Sequence, residues 1–238
     1  MIRIGTAGWS IPRASAEFFP ADGTALERYS ARFNAVEINS SFHRPHRAST
    51  WARWAESVPD DFRFSAKLPK TVTHQAKLVD CEQLLDSFLS EAHALGDKLA
   101  VLLVQLPPKL AFDAEVAAPF FAALSERSAA AVACEPRHPS WFEAEVEALL
   151  AEHRVARVAA DPAVVAKAAV PGGWRGLAYW RLHGSPVMYR SSYDDRLGAY
   201  ATQLRSCSDS RDAWCMFDNT ASSAATGDAL ALRAMLAG

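Results

Sequence analysis

Eight short runs rich in apolar and β-branched residues recur along the chain, and each has the length of a strand. The fourth run is almost continuously apolar, as expected for a strand that is buried on both faces, and the sixth is the weakest. The predicted strands are Ile2–Ala7, Ala35–Asn39, Phe62–Lys67, Leu99–Gln105, Ala130–Glu135, Ala156–Ala160, Leu177–Leu182 and Ala213–Phe217.

Segments with apolar residues at helical spacing lie between most of these runs. Strands that alternate with helices indicate βαβ units around a parallel sheet. The predicted helices are Thr24–Phe33, Thr50–Glu56, Cys81–Leu95, Ala114–Leu124, Trp141–His153, Asp194–Arg205 and Thr226–Leu236.

Two α/β architectures use such elements, and the turn after the first strand distinguishes them. An open doubly wound sheet usually carries a GxGxxG phosphate turn there, but residues 5–10 read Gly-Thr-Ala-Gly-Trp-Ser. No linker rich in Pro, Gly or Ser divides the chain. We therefore predict an α/β protein with a TIM-type (β/α)8 barrel that forms a single domain over residues 1–238.

Composition narrows the function classes. The 238 residues carry 25 basic and 27 acidic side chains, a formal charge of −2, so no global basic field favours nucleic acid as a partner. Four cysteines without CxxC spacing fit a reducing compartment. We find neither a signal-peptide pattern nor an apolar run of about 18 residues. We expect a soluble cytoplasmic protein without membrane contact; its oligomeric state is open.

The predicted strands keep their polar residues on one face. Side chains two residues apart share a face of a strand, and in a barrel one face is the interior. We predict that the polar face is the interior, with ion pairs at depth and unpaired charges at the solvated mouth. The charged residues placed there are Glu37, Arg63, Lys67, Glu135, Arg157, Asp161 and Arg181.

The C-terminal ends of the strands carry catalysis in this fold. Arginines clamp carboxylates or phosphates, so we predict an anionic small-molecule ligand such as a sugar phosphate or nucleotide. The predicted catalytic residues are Glu37 and Glu135 as acid and base, Lys67 to hold charge, and His183 and His74 to assist. The predicted substrate-binding residues are Thr6, Trp9, Asn39, Gln105, Arg137, His138, Asp161, Arg181, Asp218 and Asn219.

The loop after the seventh strand has chemistry that suits an anion. Gly184 can bring backbone N–H groups to a negative charge, and the Tyr189–Tyr193 segment can close over a ligand. His138 can equally have a structural role, because it can orient Glu135 or cap the fifth helix.

Seven sequence blocks, in one order, resemble the YecE-like family, known as domain of unknown function 72 (DUF72), over essentially the whole chain. The resemblance implies an α/β barrel and no particular reaction. One departure lies near the end, where Ser222-Ser223 and Asp228 occupy positions at which we expect a glycine and an asparagine. The blocks are Ile4–Trp9, Val36–His43, Phe64–Lys67 with Thr73-His74, Gln105–Pro108, Glu135–Trp141, Tyr179–Gly184 and Phe217–Asn219.

Two alternatives stay open. His74, His138 and His183 follow separate strands and can converge with acidic residues on a divalent metal, as in a metal-dependent phosphodiesterase or DNA-repair-type endonuclease. Nearby cations oppose a further positive ion, so a metal cofactor is not favoured and the cofactor is unknown. The second alternative is a non-catalytic barrel that binds nucleic acid or another ligand through Arg44, Arg137 and Arg190.

Overall fold

The computed structural model describes residues 1–208 and 212–237. The strands are β1 (Ile2–Thr6), β2 (Ala35–Ile38), β3 (Arg63–Lys67), β4 (Leu99–Gln105), β5 (Ala131–Glu135), β6 (Val155–Arg157), β7 (Ala159–Asp161), β8 (Gly172–Gly173), β9 (Leu177–Leu182) and β10 (Asp212–Phe217). The α-helices are α1 (Ala25–Ser30), α2 (Ala48–Glu56), α3 (Glu82–Ala92), α4 (Ala114–Arg127), α5 (Ala144–Glu152), α6 (Leu197–Ser208) and α7 (Ala224–Ala237).

The strands form two hydrogen-bonded sheets, which follow one another around the barrel. One sheet runs β2-β3-β4-β5-β6 with the short antiparallel β8 at its edge, and the other runs β1-β10-β9-β7. The sheets meet at β6 and β7, which are successive pieces of the sixth barrel strand. At the other junction, Ala7 bridges Glu37 and the Gly8 N–H donates to the Glu37 carbonyl at 2.8 Å. The predicted (β/α)8 barrel is confirmed.

The close approach of β1 to β2 at this second junction depends on Gly5. A Cβ on Gly5 would lie 2.2 Å from the Ala35 carbonyl oxygen, a distance that no side chain tolerates. The hydrogen-bonded ladder is reduced here to a single bridge, so packing of β1 against β2 completes the circle.

Two apolar layers surround the strands. A large cluster between strands and helices includes Phe64, Leu102 and Trp180, and a smaller cluster inside the barrel includes Leu103 and Trp214. The inner cluster fills the barrel below the charged residues described next. Within the described ranges, no helix combines the length and apolarity needed to cross a bilayer. That the chain forms a single domain stays a prediction.

The sixth barrel strand corrects part of the predicted interior. Ala156 and Val158 face inward, so the residues that alternate with them face the helices. Arg157 pairs with Glu147 of α5 and lies 5.0 Å from the Phe142 ring. The prediction that Arg157 faces the interior is wrong, because small apolar residues fill the barrel there and the guanidinium finds its carboxylate in the helix layer.

Asp161, at the end of the same strand, also turns outward. Arg196 Nη1 donates to Asp161 Oδ2 at 2.7 Å, and the Tyr200 hydroxyl donates to the same oxygen at 2.6 Å. The predicted inward orientation of Asp161 is therefore wrong for the same reason, since its partners lie on and just before α6.

Candidate active site

Arg181, near the end of β9, lies at the centre of a buried charged cluster. Its Nε donates to Glu37 Oε2 at 2.9 Å and its Nη2 donates to Glu37 Oε1 at 2.6 Å. Nη1 donates to Glu135 Oε2 at 2.5 Å, and Nη2 also contacts Asp218 Oδ2 at 3.0 Å. We call Arg181, Glu37, Glu135, Asp218 and His183 the Arg181 cluster; its carboxylates come from β2, β5 and the end of β10.

His183 joins two of these carboxylates. Its Nε2 lies 2.8 Å from Glu135 Oε1 and its Nδ1 lies 3.0 Å from Asp218 Oδ2. Arg137 Nη2 lies 2.7 Å from the same Glu135 oxygen. Because each ring nitrogen of His183 faces a carboxylate, the imidazole donates to both only when it carries both protons.

The charges of the cluster stabilise one another. Burial alone would raise the pKa of Glu135, but Arg181 and Arg137 bring it well below its ordinary value of 4.5. Burial likewise opposes ionisation of Asp218, and Arg181 and His183 lower its pKa below 3.8. Glu135 and Asp218 are therefore ionised at neutral pH.

Tyr179 lies directly below the cluster and was not among the predicted site residues. Its hydroxyl is 3.1 Å from Glu37 Oε2 and 3.0 Å from Ser65 Oγ, and its ring stacks on Trp214. Burial and the Glu37 charge raise the pKa of Tyr179 well above 10, so the phenol keeps its proton. Its position two residues before Arg181, on the same strand face, was the signal that could have identified it.

Lys67, at the end of β3, is a buried cation without a counter-ion. Its exposed fraction is 7%, and Nζ lies 4.3 Å from the centroid of the Phe42 ring. Among the residues that the structure describes, no carboxylate oxygen lies within 4.0 Å of Nζ. Burial and the Arg181 charge lower the pKa of Lys67 to about 8, although Glu37 and Glu135 oppose this shift.

His74 also contacts the Phe42 ring. Its ring centroid is 4.9 Å from that of Phe42, and its Nδ1 is 2.9 Å from Thr73 Oγ1. Burial, Lys67 and Arg137 lower the pKa of His74 below its ordinary value of 6.5, so the imidazole is mainly neutral at pH 7. A neutral imidazole and a lysine amine thus both contact Phe42.

Three buried polar atoms near the end of the barrel have no hydrogen-bond partner among the described residues. They are Asn39 Oδ1, just after β2, Arg137 Nε, just after β5, and Asn219 Oδ1, just after β10. Buried polar atoms are almost always paired with protein, water or ligand. Water or a bound polar molecule would satisfy them.

The loop after β9 covers His183. The Tyr189 ring lies edge-on to the His183 ring at 5.8 Å, and the Tyr189 N–H donates to the His183 carbonyl. The Gly184 N–H, which we expected to face an anion, donates instead to the Tyr193 hydroxyl at 2.7 Å.

The positions that depart from the family pattern anchor this loop. Asp228 is 2% exposed and accepts hydrogen bonds from the Tyr193 N–H at 3.2 Å and from Asn219 Nδ2 at 2.6 Å. Ser222 Oγ donates to the Arg190 carbonyl at 2.5 Å. Asn219 thus contacts the loop anchor, and the predicted binding role of Asn219 stays a prediction.

Several other predicted residues lie outside the charged cluster. Thr6 Oγ1 is 3.0 Å from the hydroxyl of Tyr29 on α1, so it faces the helix layer. The Trp9 ring packs edge-on against Trp54 at 5.1 Å. Both residues contact other parts of the protein, and their predicted substrate-binding roles stay predictions.

Gln105 and His138 also have local partners. Gln105 Nε2 donates to the Leu106 carbonyl at 3.1 Å. His138 Nδ1 accepts from the Ser140 N–H at 3.3 Å and caps the short helix Pro139–Phe142, whereas the N-cap of α5 is Glu143. Within residues 1–208 and 212–237, no three or more His, Cys, Asp or Glu side chains are arranged to hold a metal ion.

An apolar cleft of about 220 Å³ adjoins the mouth of the barrel. Phe42, Trp51 and Phe88 contribute to its wall, and His43 and Glu91 add polar groups. Phe42 therefore borders both the cleft and the Lys67 amine.

Comparison with known proteins places this geometry in a family. Residues 3–238 match the family described as "Protein of unknown function DUF72". Over 107 residues the chain is 36% identical to the UPF0759 protein YecE of Escherichia coli K12, a match that covers 45% of this chain and 38% of YecE. The chain thus spans well under two thirds of that relative.

Solved structures show the same fold. A DUF72 family protein from Enterococcus faecalis has a TM-score of 0.83 at 19% identity, covering 100% of this chain and 96% of that one. One from Thermotoga maritima has a TM-score of 0.82 at 22% identity, with both chains fully covered. A D-psicose 3-epimerase is more distant, with a TM-score of 0.56 at 11% identity over 90% of this chain and 93% of that one. The chain belongs to the DUF72 family.

Proposed function

We propose that the chain is an enzyme that binds an anionic small molecule, such as a sugar phosphate or nucleotide, at the C-terminal ends of its barrel strands. The observation that carries this proposal is the buried Lys67 amine without a counter-ion. Burying an unpaired charge is costly, and an anion bound beside it would remove that cost. The unpartnered Nε of Arg137 supplies a second donor for the same anion.

The contacts support roles for Glu37 and Glu135 that differ from the acid and base roles expected from sequence. Glu37 is held by Arg181 at two points, and Glu135 is held by Arg181, Arg137 and His183. The lowered pKa of Glu135 makes it a poor proton acceptor, and both Glu37 oxygens are occupied by Arg181. In this proposal they position the arginines, whereas Lys67 and His74 exchange protons near neutral pH.

Binding is tested by thermal shift with inorganic phosphate and with ribose 5-phosphate. A ligand that binds only the folded protein at a hundredfold excess over its Kd stabilises it by about 2.7 kcal/mol. We expect this shift to disappear in Lys67→Met and Arg137→Met. The exposed Lys77→Met and Arg53→Met, which remove the same charges elsewhere, should retain it. An equal shift in all four variants would contradict the assigned anion site.

Catalysis needs its own measurement. Sugar phosphates and nucleotides that stabilise the protein are incubated with it, and phosphate release and isomerisation are followed by ³¹P NMR. We expect turnover of at least one of them, and loss of that turnover in Lys67→Met. Binding without any turnover would show a ligand-binding barrel in place of an enzyme.

A further inference from the structure

The surroundings of Lys67 differ from those expected for a lysine that only binds an anion. Arginine already offers a planar fork that suits phosphate or carboxylate, and a lysine that only attracts an anion works best when fully charged. Lys67 instead lies 7% exposed near a second cation, Arg181, and these two effects outweigh the Glu37, Glu135 and Asp218 charges that favour the ammonium form. These surroundings favour an amine that can lose its proton.

We propose that Lys67 is a nucleophile that forms an imine with the carbonyl carbon of an anionic aldehyde or ketone. The inference rests on the proposed function, because Arg137 is the group that holds the anionic end of such a molecule. It narrows the substrate class of the site from anions in general to anionic carbonyl compounds.

The step balances without an oxidant or reductant. The lone pair of the neutral Lys67 amine attacks the carbonyl carbon, and the carbonyl oxygen gains a proton to give a carbinolamine. Loss of water then leaves a C=N bond; the oxygen comes from the carbonyl and both hydrogens come from the amine. Protonation of the imine nitrogen makes the adjacent carbon acidic, as in enzymes that use lysine for carbonyl chemistry.

His74 is placed to move protons in this sequence. Its ring and the Lys67 Nζ both lie within 5 Å of the Phe42 ring centroid. Because Lys67 and Arg137 help to keep the imidazole neutral, His74 can act as the proton acceptor of this sequence, with a water molecule carrying the proton from the attacking amine. The lowered pKa of Lys67 also supports its role as the nucleophile. A lysine with a pKa of about 8 has far more free amine at neutral pH than one with the ordinary pKa of 10.5.

The test uses glyoxylate, the smallest stable molecule that combines an aldehyde with a carboxylate. Wild-type protein is incubated with glyoxylate and sodium cyanoborohydride, which adds hydride to an imine carbon and fixes the adduct as carboxymethyl-lysine. Peptide mass spectrometry then compares the chain's six lysines. We expect Lys67 to be modified at least tenfold faster than any other, with half-maximal rate near pH 8. Because mapping is done on the wild type, no variant has to fold.

Competition separates this inference from the proposed function. Inorganic phosphate should slow the modification of Lys67 and leave that of the exposed Lys77 unchanged. If phosphate stabilises the protein through Lys67 but glyoxylate modifies Lys67 no faster than Lys77, the imine is refuted and the anion site stands. If Lys67 reacts fast and phosphate gives no protection, the shared anion site is refuted. Absence of both effects refutes both proposals.

Discussion

Replacement of Arg181 by methionine should strongly destabilise the protein. The guanidinium is fully buried and contacts three carboxylates. When it is removed, Glu135 keeps Arg137 and Asp218 keeps the His183 ring, but Glu37 keeps only the Tyr179 hydroxyl among the described residues. A buried charge that loses its partner costs about 3–5 kcal/mol, so we expect the free energy of unfolding to fall by about 4 kcal/mol.

This loss converts to a measurable melting shift. At about 2.1 cal/mol/K per residue, the entropy of unfolding of a chain of this length is roughly 0.5 kcal/mol/K, so Tm should fall by about 8 °C. Urea denaturation gives the free energy directly. The exposed Arg47→Met is the matched control and should stay within about 0.5 kcal/mol of wild type.

A double variant tests the cause. If the cost comes from the unpaired Glu37 carboxylate, Arg181→Met combined with Glu37→Gln should be more stable than Arg181→Met alone. A loss below about 1 kcal/mol in the single variant, or no recovery in the double variant, would refute the electrostatic reasoning.

Three further outcomes follow from charges and backbone. Glu135 and Asp218 have pKa values below their ordinary ones, so their ionised forms stabilise the fold at pH values above those ordinary pKa values. Tm should therefore drop as the pH falls below 4.5, and it should drop less steeply in Glu135→Gln. For Lys67 the folded pKa of about 8 lies below the ordinary 10.5, so wild type should gain stability from pH 8 to 10.5 relative to Lys67→Met. That variant should be about 1–3 kcal/mol more stable near pH 7, by urea titration; no gain would contradict the burial penalty. Ser223 has φ 68°, so Ser223→Gly should raise stability by about 0.5–1 kcal/mol, whereas Ser222→Gly, which loses a hydrogen bond, should not.

Strand periodicity predicted the centre of the site well. Glu37, Glu135, Arg181 and His183 were placed on one interior face because residues two apart share a face, and the structure brings these four together. The apolar residues that alternate with them made this possible, since a shift by one residue would have buried charge against the helices.

Strand alternation gave the wrong orientation for residues whose hydrogen-bond or ion-pair partners lie in the helix layer. Arg157 looks inward by polarity alone, but Glu147 on the neighbouring helix reverses that preference. Thr6 was placed at the mouth from its position in β1, whereas the hydroxyl of Tyr29 holds it toward the helices. Which face is polar depends on partners that are distant in sequence, and alternation within one strand carries no information about them.

The Arg181 cluster also bears on how long a folded molecule survives. Arg181 contacts residues 144, 46 and 37 positions away in the chain, so these bonds form only after the first and last parts of the barrel have met. Contacts made late in folding slow unfolding and leave the folding rate nearly unchanged. A loss of about 4 kcal/mol carried on the unfolding side would shorten the native lifetime roughly a thousandfold. The residues that organise the pocket should thus also slow the unfolding of the barrel.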